Sequence, residues 1–129
     1  MCIRDSRYAV CDLTAMATDT HRFEARYLDG LVGTWPEERS IYNERSPLQH
    51  AERILCPVLF FQGLQDKVVP AEQTERMAAA LRHNGITVDL RLFKDEGHGF
   101  RNQATQIKVL EDTEAFFRLH LGLSEAPKK

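Results

Sequence analysis

Two short stretches of this sequence carry residues able to share acid–base chemistry. The first is Gly63-Leu64-Gln65-Asp66-Lys67-Val68-Val69-Pro70 and the second is Asp95-Glu96-Gly97-His98-Gly99-Phe100. A carboxylate held against one imidazole nitrogen fixes the tautomer and stabilises the imidazolium. The other ring nitrogen is then free to take and return a proton. Asp66 and His98 are the candidates for those two parts. Taken singly, each has an ordinary alternative. An aspartate after a strand often caps the next turn, and a histidine between glycines is often a solvated loop residue. Gly97 and Gly99 permit positive φ, which can turn the ring out of line with a sheet. Glu96 is a rival orienter, but it precedes His98 by two residues and is expected to face solvent. Asp95 and the Glu37-Glu38 pair are expected to be solvated too, and Phe100 to be a packing anchor.

Whether Asp66 meets His98 depends on the elements that carry the two loops. Pro57 to Gln62 is a continuous apolar run with β-branched and aromatic residues, the pattern of a strand covered on both faces. Ala71 to His83 places Thr74, Met77, Ala78 and Leu81 at helical spacing, with Asn84-Gly85 as a stop. Ile86 to Phe93 alternates with the period of a strand. From Gln103 to Leu121, a stripe of Ile107, Leu110, Phe117 and Leu121 predicts a long amphipathic helix. Strand, helix, strand, helix implies parallel pairing through a crossover. Both loops then follow strand carboxyl ends, where open parallel sheets bind ligands, and neighbouring strands about 4.8 Å apart bring them together.

The first half is less patterned. Tyr8 to Leu13 reads as the end of a buried strand. Thr20 to Leu31 puts Phe23, Tyr27, Leu28 and Leu31 on one helical face. Trp35-Pro36-Glu37-Glu38 reads as a helix start, Ser46-Pro47 as a break, and His50 to Arg53 as a further helical turn. Met1 to Ser6 is too charged for a secretory signal and resembles the translated remnant of a sequencing adaptor. It is expected to be a non-native leader, with the native protein beginning upstream. Residues 7–123 are then a partial α/β domain and 124–129 a loose tail.

The 129 residues hold 43% apolar and 28% charged side chains, which suits a globular domain rather than a disordered or fibrous chain. A net charge of −2 offers no electrostatic draw for nucleic acid or an anionic membrane. The longest mostly apolar stretch, Ile54 to Phe61, is far short of the roughly 20 residues of a spanning helix. The three cysteines, Cys2, Cys11 and Cys56, form neither a disulfide framework nor a zinc pattern, so a cytoplasmic setting is the default. His21-x-x-Glu24 lacks the second histidine of a zinc motif, and His50, His83 and His120 read as surface positions.

The ordered set Cys56-Pro57-Val58, Gln62-Gly63, Asp66, Val69-Pro70, Gln73 and Glu96-Gly97-His98-Gly99-Phe100 resembles the C-terminal part of the prolyl oligopeptidase family of serine peptidases. Within that family the likeness is to the dipeptidyl- and acylaminoacyl-peptidase branch. Tyr8-Ala9-Val10-Cys11-Asp12-Leu13, His21-Arg22-Phe23-Glu24, Tyr27 and Glu44-Arg45-Ser46-Pro47 match it in order, the first as the strand after the nucleophile helix. The resemblance implies an α/β-hydrolase fold, of which this is the C-terminal portion: a parallel sheet flanked by helices. It also implies a triad in the order serine, aspartate, histidine, with Asp66 as its acid and His98 as its base. No cofactor and no metal are implied, and the partner would be a short peptide substrate.

The departure from the family pattern is the nucleophile. Ser6, Ser40, Ser46 and Ser124 are the only serines, and none lies in a Gly-x-Ser-x-Gly elbow. Cys11 has no elbow around it either. The chain is therefore expected to carry an acid and a base but no nucleophile, and to be inactive by itself. An exposed sheet edge would favour self-association. Two other readings remain open: a carboxylesterase or dienelactone-hydrolase-like enzyme, and a non-catalytic α/β interaction module.

Overall fold

One strand organises the chain. In the computed structural model, which describes residues 3–19 and 26–123, β2 (Val58–Gly63) is buried along its whole length. It lies between β1 (Arg4–Arg7) and β3 (Val88–Phe93), parallel to both. Successive strand residues point to opposite faces, so an all-apolar run can feed two cores at once. Val58 and Phe60 pack with Met77, Ala78 and Leu81 of α3 (Ala71–His83). Leu59 and Phe61 pack on the other face with Val109 and Phe116 of α4 (Gln103–Leu121). Leu59 and Phe61 are fully buried, and each side chain contributes about 1.5–3 kcal/mol. The result is the parallel sheet with helices on both faces expected from the apolar periods.

The crossover from β2 to β3 follows the sequence closely. α3 has the expected bounds, and past Asn84-Gly85 the Ile86 N–H returns to the Leu81 carbonyl at 3.0 Å. Ser46-Pro47 ends α2 (Arg39–Arg45), with Ser46 extended at ψ 117°, and a 3-10 segment covers Pro47–Arg53. Among the described residues no helix is long and apolar enough to cross a membrane.

Four expectations are corrected. Tyr8 to Leu13 is not strand; the ladder ends just before it, with Arg4 to Arg7 paired to Val58 to Phe61. The Tyr8 N–H makes the last bond to β2, to the Phe61 carbonyl at 3.1 Å, and the chain then turns away at φ +52°. Past that turn the chain forms α1 (Leu13–Asp19), which no periodic signal indicated. The helix expected over Thr20 to Leu31 is absent from its described part, where Leu28–Gly30 is one 3-10 turn and Tyr27 and Leu31 are exposed. His21, Phe23 and Glu24 lie outside the described residues. The Trp35-Pro36 helix start also fails, since α2 begins only at Arg39.

The fourth correction concerns α4, whose bounds are as expected but whose buried face is not. Ile107, Leu110 and Leu121 are 48%, 64% and 42% exposed, while Val109 and Phe116 meet the sheet and, of the expected stripe, Phe117 packs beside them. Apolar residues occupy most of the helix circumference, so their period does not single out one face.

Candidate active site

Gln62 closes β2 with a polar side chain that is fully buried, and it organises the first loop. Such a group must find partners. Its Nε2 donates to the Gly63 and Val69 carbonyls, both at 3.1 Å, and to Asp66 Oδ2 at 3.3 Å. Its Oε1 accepts from the Thr74 hydroxyl of α3 at 2.8 Å. The two carbonyls facing Nε2 settle which end of the amide is which. Asp66 is held from its other oxygen as well, since Oδ1 accepts from the Val68 and Val69 amides at 2.9 and 2.8 Å. Its side chain is wholly buried with every bond made by a defined donor.

The second loop leans on the first. Leu64 N–H donates to the Phe93 carbonyl and Gln65 N–H to the Glu96 carbonyl, both at 2.9 Å. Gly63 makes this approach possible, because a Cβ there would lie 2.6 Å from the Gly97 carbonyl oxygen and closer still to that of Glu96. The loops so joined place His98 Nδ1 2.9 Å from Asp66 Oδ2 across 32 residues of sequence. Facing a carboxylate oxygen, Nδ1 carries the proton and Nε2 is left as the acceptor. The His98 side chain is 43% exposed, and Nε2 has no hydrogen-bond partner among the described residues. This pair can hold one tautomer, accept a proton at Nε2 and stabilise the cation that forms.

Glu96 corrects another expectation. It does not face solvent but is 3% exposed, and its carboxylate accepts from the Arg101 and Asn102 amides at 2.9 and 3.0 Å. It therefore ties the far end of the histidine loop to the start of α4, where the Asn102 side chain caps the Ala104 N–H at 3.0 Å. The Arg101 amide above all holds the Glu96 carboxyl below the usual carboxylate range. Burial opposes this, and the Thr105 hydroxyl and Asn102 amide add to it. A carboxyl whose pKa falls on folding contributes stability above its unfolded pKa of about 4.3 and loses it as pH falls through the lower folded value. The Arg101 and Asn102 amide resonances are therefore expected to stay constant down through the ordinary carboxylate range and to shift together only at pH below it. Glu96→Gln should abolish that transition in an NMR titration.

Beside His98 lies an apolar cleft of about 310 Å³, walled by Val10, Leu13, Met16, Leu28 and Val68. The segment carrying Val10 and Leu13 is fixed from α3: Gln73 Oε1 accepts from the Cys11 and Asp12 amides, both at 3.1 Å, and Arg76 pairs with Asp12 at 3.2 Å. Cys11 itself is buried, with its thiol pushed up to about 11 by burial and then by Asp12, so it stays a protonated core residue at neutral pH. Phe100 packs with Leu59 and Phe61 as expected. Among the described residues no cluster of His, Cys, Asp or Glu is placed to hold a metal ion.

Sequence reasoning brought Asp66 and His98 together but assigned no role to Gln62, Gln73 or Tyr8, and it misplaced Glu96. A signal existed for Gln62, since a polar residue ending a wholly apolar strand requires buried partners. The supports of Glu96 come from amides in the next helix turn, which spacing alone does not reveal.

Comparison with known proteins bears on the fold that carries these loops. The model of the prolyl oligopeptidase family matches residues 6–124. A puromycin-hydrolyzing peptidase of Mycobacterium tuberculosis superposes with a TM-score of 0.90 at 43% identity, over 95% of this chain and 19% of that one. Dipeptidyl aminopeptidase BIII of Pseudoxanthomonas mexicana is 37% identical over 79 residues, 61% of this chain and 12% of the relative. Dipeptidyl peptidase family member 6 of Caenorhabditis elegans is 33% identical over 91 residues, 70% of this chain and again 12% of the relative. The chain thus spans a small part of the proteins it resembles.

Proposed function

This chain belongs to the prolyl oligopeptidase family and has its α/β-hydrolase fold, and from that premise we propose that it supplies the acid and base of a serine-peptidase triad acting on short peptides. The observation that carries this reading is the 2.9 Å contact between His98 Nδ1 and an Asp66 held on both oxygens. His98 Nε2 takes the proton of a serine hydroxyl as its oxygen attacks the peptide carbonyl. Asp66 stabilises the imidazolium, and the same proton then passes to the departing amine. Water deacylates the enzyme by the same route in reverse roles. The cleft beside His98 takes an apolar side chain of the substrate.

In this reading the nucleophile lies outside these 129 residues. The Ser46 hydroxyl is buried, accepting from the Leu13 amide at 2.9 Å and donating to the Tyr42 carbonyl at 2.7 Å. Ser40 is exposed on α2, and no described serine is hydrogen-bonded to His98.

A chimera tests the proposal, with this chain replacing the matching segment of the Mycobacterium tuberculosis peptidase. The chimera is expected to hydrolyse aminoacyl-naphthylamides in preference to short acyl esters and to react with a fluorophosphonate probe. The 129-residue chain alone is expected to stay unlabelled. A folded chimera that binds the probe but cleaves only esters would overturn the peptidase assignment. Labelling of the chain alone would overturn the placement of the nucleophile.

A further inference from the structure

We propose that Tyr8 is a positioning residue for His98, a second tether that sets the plane of the imidazole whose Nδ1 is held by Asp66. A single hydrogen bond fixes one point of the ring and leaves it free to swing about that contact. The loop does little to prevent this, because His98 sits between two glycines and Gly99 has φ +99°. A proton acceptor must keep Nε2 aimed at one place, so something besides Asp66 has to hold the ring.

Tyr8 is where the structure supplies that hold. Among the described residues it is the only non-glycine with positive φ, at +52°. Bulky side chains rarely adopt this conformation, and it persists where the surroundings over-determine it. Four contacts do so here. The Tyr8 N–H is bonded to the Phe61 carbonyl at the end of β2. The Tyr8 ring lies 5.1 Å from the His98 ring, tilted by 49°, and 4.7 Å from the Phe100 ring, tilted by 59°. The phenolic oxygen accepts from the Phe100 N–H at 3.2 Å, across 92 residues of sequence. Tyr8 leaves β1 and Phe100 follows β3, so these contacts span the central strand. The left-handed turn takes the chain out of the ladder at a residue whose side chain meets the histidine loop.

For catalysis this rests on reading His98 as the general base, but the geometry can be tested without turnover. In the ¹⁵N-labelled 129-residue chain, the readouts are hydrogen exchange at the Phe100 amide and the lifetime of the His98 Nδ1 proton. Tyr8→Phe keeps the ring and loses the hydroxyl. It is expected to speed Phe100 exchange about tenfold while preserving the Nδ1 proton signal. Tyr8→Ala is expected to shorten the Nδ1 proton lifetime by at least about tenfold, with the Met77 and Leu81 methyl signals unmoved. Should Tyr8→Ala unfold, Tyr8→Leu fills the space without a planar face and is read the same way. Unchanged Phe100 protection in Tyr8→Phe, or a parental Nδ1 lifetime in the Ala or Leu variant, overturns the proposal. In the active chimera, Tyr8→Leu, which removes the ring, is expected to lower kcat more than it alters KM. An imidazole that moves with Tyr8 while His98→Ala retains peptidase turnover would leave the positioning intact and refute the base assignment instead.

Discussion

Asp66→Asn, introduced into the active chimera, is expected to lower kcat about 10⁴-fold with little change in KM. The two groups differ by one heavy atom and the hydrogens on it, so the size of the effect comes from where the donors lie. Val68 and Val69 both present N–H groups to Oδ1, which requires the amide oxygen of an asparagine to occupy that place. Its NH₂ then takes the position of Oδ2, facing Gln62 Nε2 and His98 Nδ1. Gln62 cannot turn to relieve the conflict, because its own NH₂ is needed by the Gly63 and Val69 carbonyls. His98 must then accept at Nδ1 and carry its proton on Nε2, the tautomer that cannot take a proton from a serine. The ¹⁵N shifts of the imidazole report this directly, as a change from the Nδ1–H to the Nε2–H form. Loss of turnover without the tautomer change would mean that Asp66 serves only to hold its loop. Parental turnover would remove Asp66 from the triad.

Gly63→Ala is expected to destabilise the chain by about 3 kcal/mol, roughly 10 °C in melting temperature. Where it fits, the same substitution usually stabilises by about 0.4–1 kcal/mol through the unfolded chain. The sign is reversed here because the added methyl would lie 2.6 Å from the Gly97 carbonyl oxygen and 2.7 Å from the Glu96 carbonyl carbon. Both are backbone atoms, with no flexible side chain to give way. The two loops would have to separate, breaking the Gln65–Glu96 bond and drawing Asp66 away from His98. Thermal melting and the His98 Nδ1 proton signal should change together. A melting temperature at or above the parental one would show that the loops are not pressed together at Gly63.

Much of this site is legible in the amino-acid order. The all-apolar Val58-Leu59-Phe60-Phe61 run identifies a central strand, and the Ala71 to His83 period marks its crossover helix residue for residue. Parallel pairing then requires the Asp66 and His98 loops to leave the same end of the sheet. These are local signals, because the period of apolar residues and a stop signal are properties of short windows. The pairing of the two loops is also open to reading from residue order, since the Glu-Gly-His-Gly-Phe loop follows the Gln-Gly and Asp66 segment at the distance of one crossover.

Other features depend on which side chains meet across long separations. β1 starts at Arg4 because pairing with β2 sets its register, although Tyr8 to Leu13 is the more apolar stretch. α4 turns Val109 and Phe116 inward because the sheet covers that face, not because their spacing is better than that of Ile107 and Leu110. Glu96 is buried because amides in the next helix turn need its oxygens.

By itself, then, the sequence determined the strand–helix–strand–helix order, the loops that carry Asp66 and His98, and the family they resemble. Tertiary structure decided the 2.9 Å contact between them, the fixing of Asp66 by Gln62 and two amides, and the Tyr8 contact on the imidazole. The physical reason is that hydrogen bonds and ring contacts have a reach of a few ångströms. Residues 32 or 92 positions apart satisfy that condition only once the sheet has set their strands side by side.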